Sequence, residues 1–113
     1  MIIVRDSLKL EDLKQMAARM FGDLVKAVVD VDRELLAVDA ELHADLEAAL
    51  LEDGSEQRSV WGINLYPAVP SDQFIEFDSM INMRPSQANT SRGVEDEATR
   101  QKIIAIVQRR IAR

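Results

Sequence analysis

A chain of 113 residues with 47% hydrophobic side chains has the size of one domain and can form a core, which excludes global disorder and a pair of ordinary domains. It contains no cysteine, which excludes a disulfide framework, a thiolate metal site and a cysteine nucleophile, and fits a cytoplasmic setting. Fourteen basic residues against twenty acidic ones, a formal charge of −6, disfavour nonspecific attraction to nucleic acid or to an anionic membrane.

The start, Met1-Ile2-Ile3-Val4-Arg5-Asp6, lacks the long apolar segment and cleavage region of a secretory signal. No run approaches the roughly 20 apolar residues that span a bilayer, so a soluble protein inside the cell is expected. Met1 to Val4 reads as a short edge strand, after which Asp6 or Ser7 offers a helix-capping oxygen. Leu10, Leu13, Met16, Ala17, Met20 and Phe21 then recur at helical spacing, and Gly22 is placed to end that helix in a left-handed conformation.

From Leu24 to Val31 the period changes to two, with Val25, Ala27, Val29 and Val31 on one face. Asp32-Arg33-Glu34 is a tight connection, and Leu36, Val38, Ala40 and Leu42 continue the alternation, so an antiparallel hairpin is expected. Asp45 to Glu52 holds good helix formers behind a candidate Asp45 cap and is closed by Asp53-Gly54-Ser55. The rival is a strand through Leu50 and Leu51 that turns at Asp53-Gly54.

Val60 to Tyr66 is the next strand, with Trp61, Ile63 and Leu65 sharing a core face. Phe74 to Met83 alternates over its whole length and predicts the longest strand, stopped by Arg84 and Pro85. Arg84 to Gly93 is a polar loop. Asp96 to Ile111 closes the chain as a helix with acids at its start and Arg109 and Arg110 at its end. The expected fold is α+β in a single domain: a mostly antiparallel sheet of four or five strands covered on one face by the two longer helices, with a short central helix as an addition.

Three groups of polar residues carry candidate chemistry. Glu41, His43 and Asp45 stand at alternate positions, so an extended backbone turns all three to one side. An imidazole between carboxylates shuttles protons, which makes Glu41 and His43 catalytic candidates, and the three together are candidate ligands for a divalent metal. The plainer reading has Asp45 as a helix cap, Glu41 solvated and His43 at a strand end.

Asp78, a third catalytic candidate, and Asn82, with Asn64 from the preceding strand, both candidates for binding a substrate or anion, are placed to meet Glu41 or His43 across neighbouring strands, although the register that would decide this is not written in the sequence. The third group is the loop, where Arg84, Gln87, Asn89 and Arg92 are candidates for a small anionic ligand such as a phosphate, or for bonding the loop to itself. No serine sits in a nucleophile elbow, and no phosphate-loop or dinucleotide fingerprint is present.

Several segments resemble a small prokaryotic protein family known only as a domain of unknown function. They are Glu41-Leu42-His43-Ala44-Asp45, Trp61-Gly62-Ile63-Asn64-Leu65-Tyr66-Pro67, the stretch from Ile75 to Gln87, and Ser91-Arg92-Gly93-Val94-Glu95-Asp96. The resemblance extends over almost the whole chain. Members of that family carry Gly-Gly before the Glu-Leu-His-Ala-Asp segment, where this chain has Asp39-Ala40. The resemblance implies a shared fold and supplies no reaction, ligand or catalytic residue. The residues themselves favour a nonenzymatic cytoplasmic binding or assembly domain, with an open sheet edge or apolar face available for a homodimer. The alternative is a small metal-assisted hydrolase, or an anion- or nucleotide-binding protein, built on His43 and the Arg84–Arg92 region.

Overall fold

The computed structural model describes residues 1–113, the side chain of residue 71 excepted. Strand β1 (Ile2–Val4) is followed by a two-residue strand β2 (Leu8–Lys9), which runs directly into helix α1 (Leu10–Arg19). Leu13, Met16 and Ala17 of α1 face inward, with Glu11 and Asp12 in the first turn and Arg19 in the last, the charge order that the helix dipole favours. Neither Asp6 nor Ser7 caps this helix, contrary to the expectation. The cap position belongs to Lys9, which is still extended and paired in β2, so no free side-chain oxygen precedes the first turn. At the other end Gly22, with φ +92°, donates to the Ala17 carbonyl and terminates the helix as expected.

The expected hairpin is β3 (Val25–Asp30) and β4 (Leu35–Val38), paired antiparallel. Its turn is organised by Asp30, whose Oδ1 accepts from the main-chain N–H groups of Asp32 and Arg33 at 2.9 Å each. The second strand stops at Val38, short of Leu42, because Asp39 takes a φ of +74° and turns the chain out of the sheet. That left-handed conformation is the one glycine adopts most readily.

Helix α2 (His43–Glu52) settles the central segment as helical. It begins two residues before Asp45, so Asp45 lies inside the first turn and is not the cap; Leu42 holds that position without a side-chain bond. Strand β5 (Val60–Leu65) follows, then β6 (Ile75–Glu76), helix α3 (Glu97–Arg110) and β7 (Ile111–Ala112), which pairs parallel with β2. Asp96 caps α3 by accepting from the Thr99 N–H.

Phe74–Met83 does not form the long strand that its alternation predicts. Only Ile75 and Glu76 pair with β5, and the chain then folds over β5 and closes in a single 3-10 turn at Met80–Asn82. The physical reason is an alternative set of partners: the Ser79 N–H donates to the Arg92 carbonyl, and the side chain of Asn82 replaces a strand's main chain.

The sheet has five strands in the order β1-β4-β3-β5-β6, all antiparallel. Val25, Ala27, Val29, Leu36, Trp61, Ile63 and Leu65 point to one face, where they pack with Leu13 and Met16 of α1 and Ile103, Ile106 and Val107 of α3. Helix α2 covers the other face. There Leu46 and Leu50 meet Val28, Leu35, Ala37 and Val60, and two fully buried leucines contribute about 3–6 kcal/mol to that attachment. The sheet is therefore shielded on both sides, α1 and α3 on one and α2, as long as α1, on the other. Among the described residues, no helix is long and apolar enough to cross a membrane.

Candidate functional site

The alternation of β5 sends Val60, Gly62 and Asn64 toward α2, and its pairing with β3 sets Lys26 directly opposite Asn64 on that face. The head of α2 stands over this end of the strand. His43, its first residue, is buried and bonds through Nε2 to the main-chain carbonyl of Ile63 at 2.8 Å. A carbonyl only accepts, so Nε2 carries the proton and Nδ1 keeps its lone pair. Burial lowers the pKa of the ring; the bond to Ile63 pulls the other way, and Lys26, Asp78 and Arg92 are close enough to act on it electrostatically.

Asn64 is the second member of this group. Its side chain is 7% exposed, and its Nδ2 donates to a carboxylate oxygen of Glu76 at 2.9 Å and, more weakly, to the Asp78 carbonyl at 3.4 Å. Its Oδ1 is buried and has no hydrogen-bond partner among the described residues. Glu76 also accepts from the Tyr66 hydroxyl at 2.9 Å, and Asp78 pairs with Arg92 at 2.5 Å. Burial and the neighbouring Glu76 carboxylate both raise the Tyr66 phenol above its ordinary value. His43, Asn64 and Asp78 lie in one neighbourhood, without Glu41, which is exposed, and without Asn82, whose carboxamide bonds Gly62 and the Arg92 carbonyl. Lys26, Tyr66 and Glu76 join them, and only the strand register, which is absent from the sequence pattern, could have revealed that.

The Glu41-His43-Asp45 trio comes apart. Its common side required an extended backbone, whereas α2 begins at His43 and turns about 200° between positions two apart. Glu41 and Asp45 are exposed while His43 is buried. Among the described residues, no three His, Asp or Glu side chains gather as a metal would need.

The remaining candidates finish the edge of β5 beyond the short strand β6. Asn82 is fully buried; it accepts from the Gly62 N–H at 2.8 Å and donates to the Gly62 carbonyl at 2.9 Å and to the Arg92 carbonyl at 2.9 Å. One step further along, Arg84 donates to the carbonyls of Val60 and Gln57, and its guanidinium lies 4.0 Å from the centre of the Trp61 ring. Burial lowers the Arg84 pKa, while the nearby Glu47 carboxylate opposes that shift; the same burial raises Glu47. Sequence reasoning passed over Glu47, which reads as one more helix-forming surface acid.

Gln87 donates to the Arg58 carbonyl at 3.1 Å. Asn89 holds the loop from within, donating to the carbonyls of Asn82 and Gly93 and accepting from the Glu95 N–H. Glu95 in turn accepts from the N–H groups of Thr90 and Ser91, which lowers its pKa. The loop is bonded to itself and to β5 through the groups proposed for an anion. Two recesses lie apart from the head of α2. One of about 850 Å³ is lined by Phe74, Phe77, Ile104 and Arg113, and one of about 750 Å³ by Asp32, Trp61, Gln87 and Asn89.

These features define an α+β domain with an antiparallel sheet shielded on both faces and a buried polar group under the head of its central helix. The chain belongs to the family described as protein of unknown function (DUF5674), whose model matches residues 2–110. A search of the curated proteins and a search of the solved structures each found no match.

Proposed function

We propose that the protein is a nonenzymatic binding domain of the cytoplasm, and that it takes a small polar molecule rich in hydrogen-bond donors, such as a primary amine or amide, at the head of α2. The observation that carries this reading is the buried Asn64 Oδ1 without a partner, on the strand position next to the carbonyl that holds His43. A buried acceptor left unpaired costs about 1–3 kcal/mol, and a ligand N–H or O–H would recover it. The second acceptor is Nδ1 of a neutral His43, and the carboxylates of Glu76 and Asp78 add further acceptors close by.

The same chemistry disfavours an anion. An anion would meet lone pairs at Asn64 and His43 beside the carboxylates of Glu76 and Asp78, which offset the charge of Lys26, while Arg84 and Arg92 are occupied by main-chain carbonyls and by Asp78. A metal-assisted hydrolase built on His43 would need a set of ligands for the metal, and among the described residues no three His, Asp or Glu side chains gather to supply one.

The test is a titration of isotope-labelled protein with ethylamine, acetamide and inorganic phosphate, followed by amide and side-chain chemical shifts. Saturable changes at His43, Asn64 and Asp78 with the amine or the amide are the expected result. Saturable changes confined to residues 84–92 with phosphate, or none at His43 and Asn64 with either donor, would contradict the reading.

A further inference from the structure

The outer flank of α2 has no partner among the described residues. Leu46, Leu50 and His43 face the sheet, whereas Ala44, Ala48 and Leu51 are exposed and, with half-buried Glu47, span about 100° of the helix circumference. The Met80–Asn82 turn packs alongside α2. Met80 in that turn is 69% exposed and Met83 just after it 48%, and Leu42 at the head of the helix is 55% exposed. Four of the large apolar side chains left in solvent thus lie on α2, at its cap or on the turn beside it.

Charge selects the occupant. Residues 41–52 contain Glu41, Asp45, Glu47 and Glu52 and no lysine or arginine. Asp45 and Glu52 project next to Ala48 and form an acidic rim along the apolar flank. A second copy of the chain, docked about a two-fold axis, would set this rim against itself in a protein of formal charge −6. Small alanines admit a close helix approach, exposed methionines adapt to varied side chains, and the acids favour cations around an apolar centre. We propose that the α2 flank with Met80 and Met83 docks a basic amphipathic helix of another protein. This surface is separate from the buried polar group, so either can fail alone.

The probe is a designed peptide of about 18 residues with leucine at helical spacing and lysine elsewhere. Two controls accompany it: the same composition scrambled to destroy the apolar face, and the same pattern with glutamate in place of lysine. The peptide is titrated into the full chain and followed by fluorescence anisotropy and backbone spectra. The expected result is saturable binding with shifts at Ala44, Ala48, Leu51 and Met80, weakened at least about tenfold by Met80→Asp or Leu51→Asp, by the scramble and by the glutamate peptide. Met80 is 69% exposed and Leu51 37%, and unchanged spectra elsewhere verify that each variant retains the fold. Equal binding by the scrambled or glutamate peptide, no saturation, or shifts away from this flank would overturn the proposal. A concentration-dependent dimer lost in Leu51→Asp would also overturn it, since the occupant would then be a second copy.

Discussion

The carboxamide of Asn82 bonds both main-chain groups of Gly62, accepting from its N–H and donating to its carbonyl, and so stands where the next strand of the sheet would stand. Replacing Asn82 by alanine leaves a buried donor and a buried acceptor on β5 and frees the Arg92 carbonyl as well. A loss of about 2–4 kcal/mol is expected, read from urea unfolding, together with faster hydrogen exchange at the Gly62 amide. Asn82→Asp should be no better at neutral pH, because its charge would face two carbonyls.

Gly62 is constrained from the other side. A Cβ built on it would lie 2.5 Å from the Cβ of Ser79 and 3.1 Å from a side-chain carbon of Ile81. Gly62→Ala is therefore expected to destabilise by about 1–3 kcal/mol, and Ser79→Gly in the same chain should recover part of that loss. A double-mutant cycle measures it, and additive costs would mean that the two residues do not press on each other.

These two residues also show what the sequence could and could not say. Periodicity located the hairpin, the strand Val60–Leu65 and the helices α1 and α3, because burial of one face imposes a period. The alternation from Phe74 to Met83 was equally regular, yet the backbone past Glu76 finds partners in Asn82 and Arg92 and leaves the ladder. Local pattern reports which side chains are apolar, not which atoms satisfy the main chain. The same limit applies at the site: His43, Asn64 and Asp78 were legible as candidates, but the placement of Lys26 opposite Asn64 depends on register. For Arg84, Asn82 and Asn89 the residue types suggested a ligand, and their actual partners are carbonyls of this chain.

Acid sensitivity should carry the mark of Asp53. Hydrogen bonds from Arg5 and Arg33 hold its carboxyl at about 2, below the ordinary 3.8. A depressed carboxyl stabilises the fold above its unfolded value, and that contribution disappears as pH falls through the folded one. Thermal unfolding between roughly pH 4 and pH 2 should therefore show a decline that Asp53→Asn removes. An identical decline in the variant would assign it to other carboxyls.

His43 acts in a higher window. Its folded pKa lies below the unfolded 6.5, chiefly through burial, so the unfolded chain takes up the proton first. Stability is then greatest above about pH 6.5, falls as pH drops through that value and levels off below the folded pKa. His43→Gln, which can still donate to the Ile63 carbonyl, should flatten the melting temperature across this interval.

The state of the His43 ring tests the account most directly. Long-range proton–nitrogen correlation at about pH 7.5 should show a neutral imidazole with its proton on Nε2, and an Nδ1 resonance that moves on addition of ethylamine or acetamide. That movement should vanish in Asn64→Leu while the Nε2 bond to Ile63 persists. A proton on Nδ1, a doubly protonated ring at that pH, or an Nδ1 signal indifferent to both ligands would contradict a donor-binding site at the head of α2.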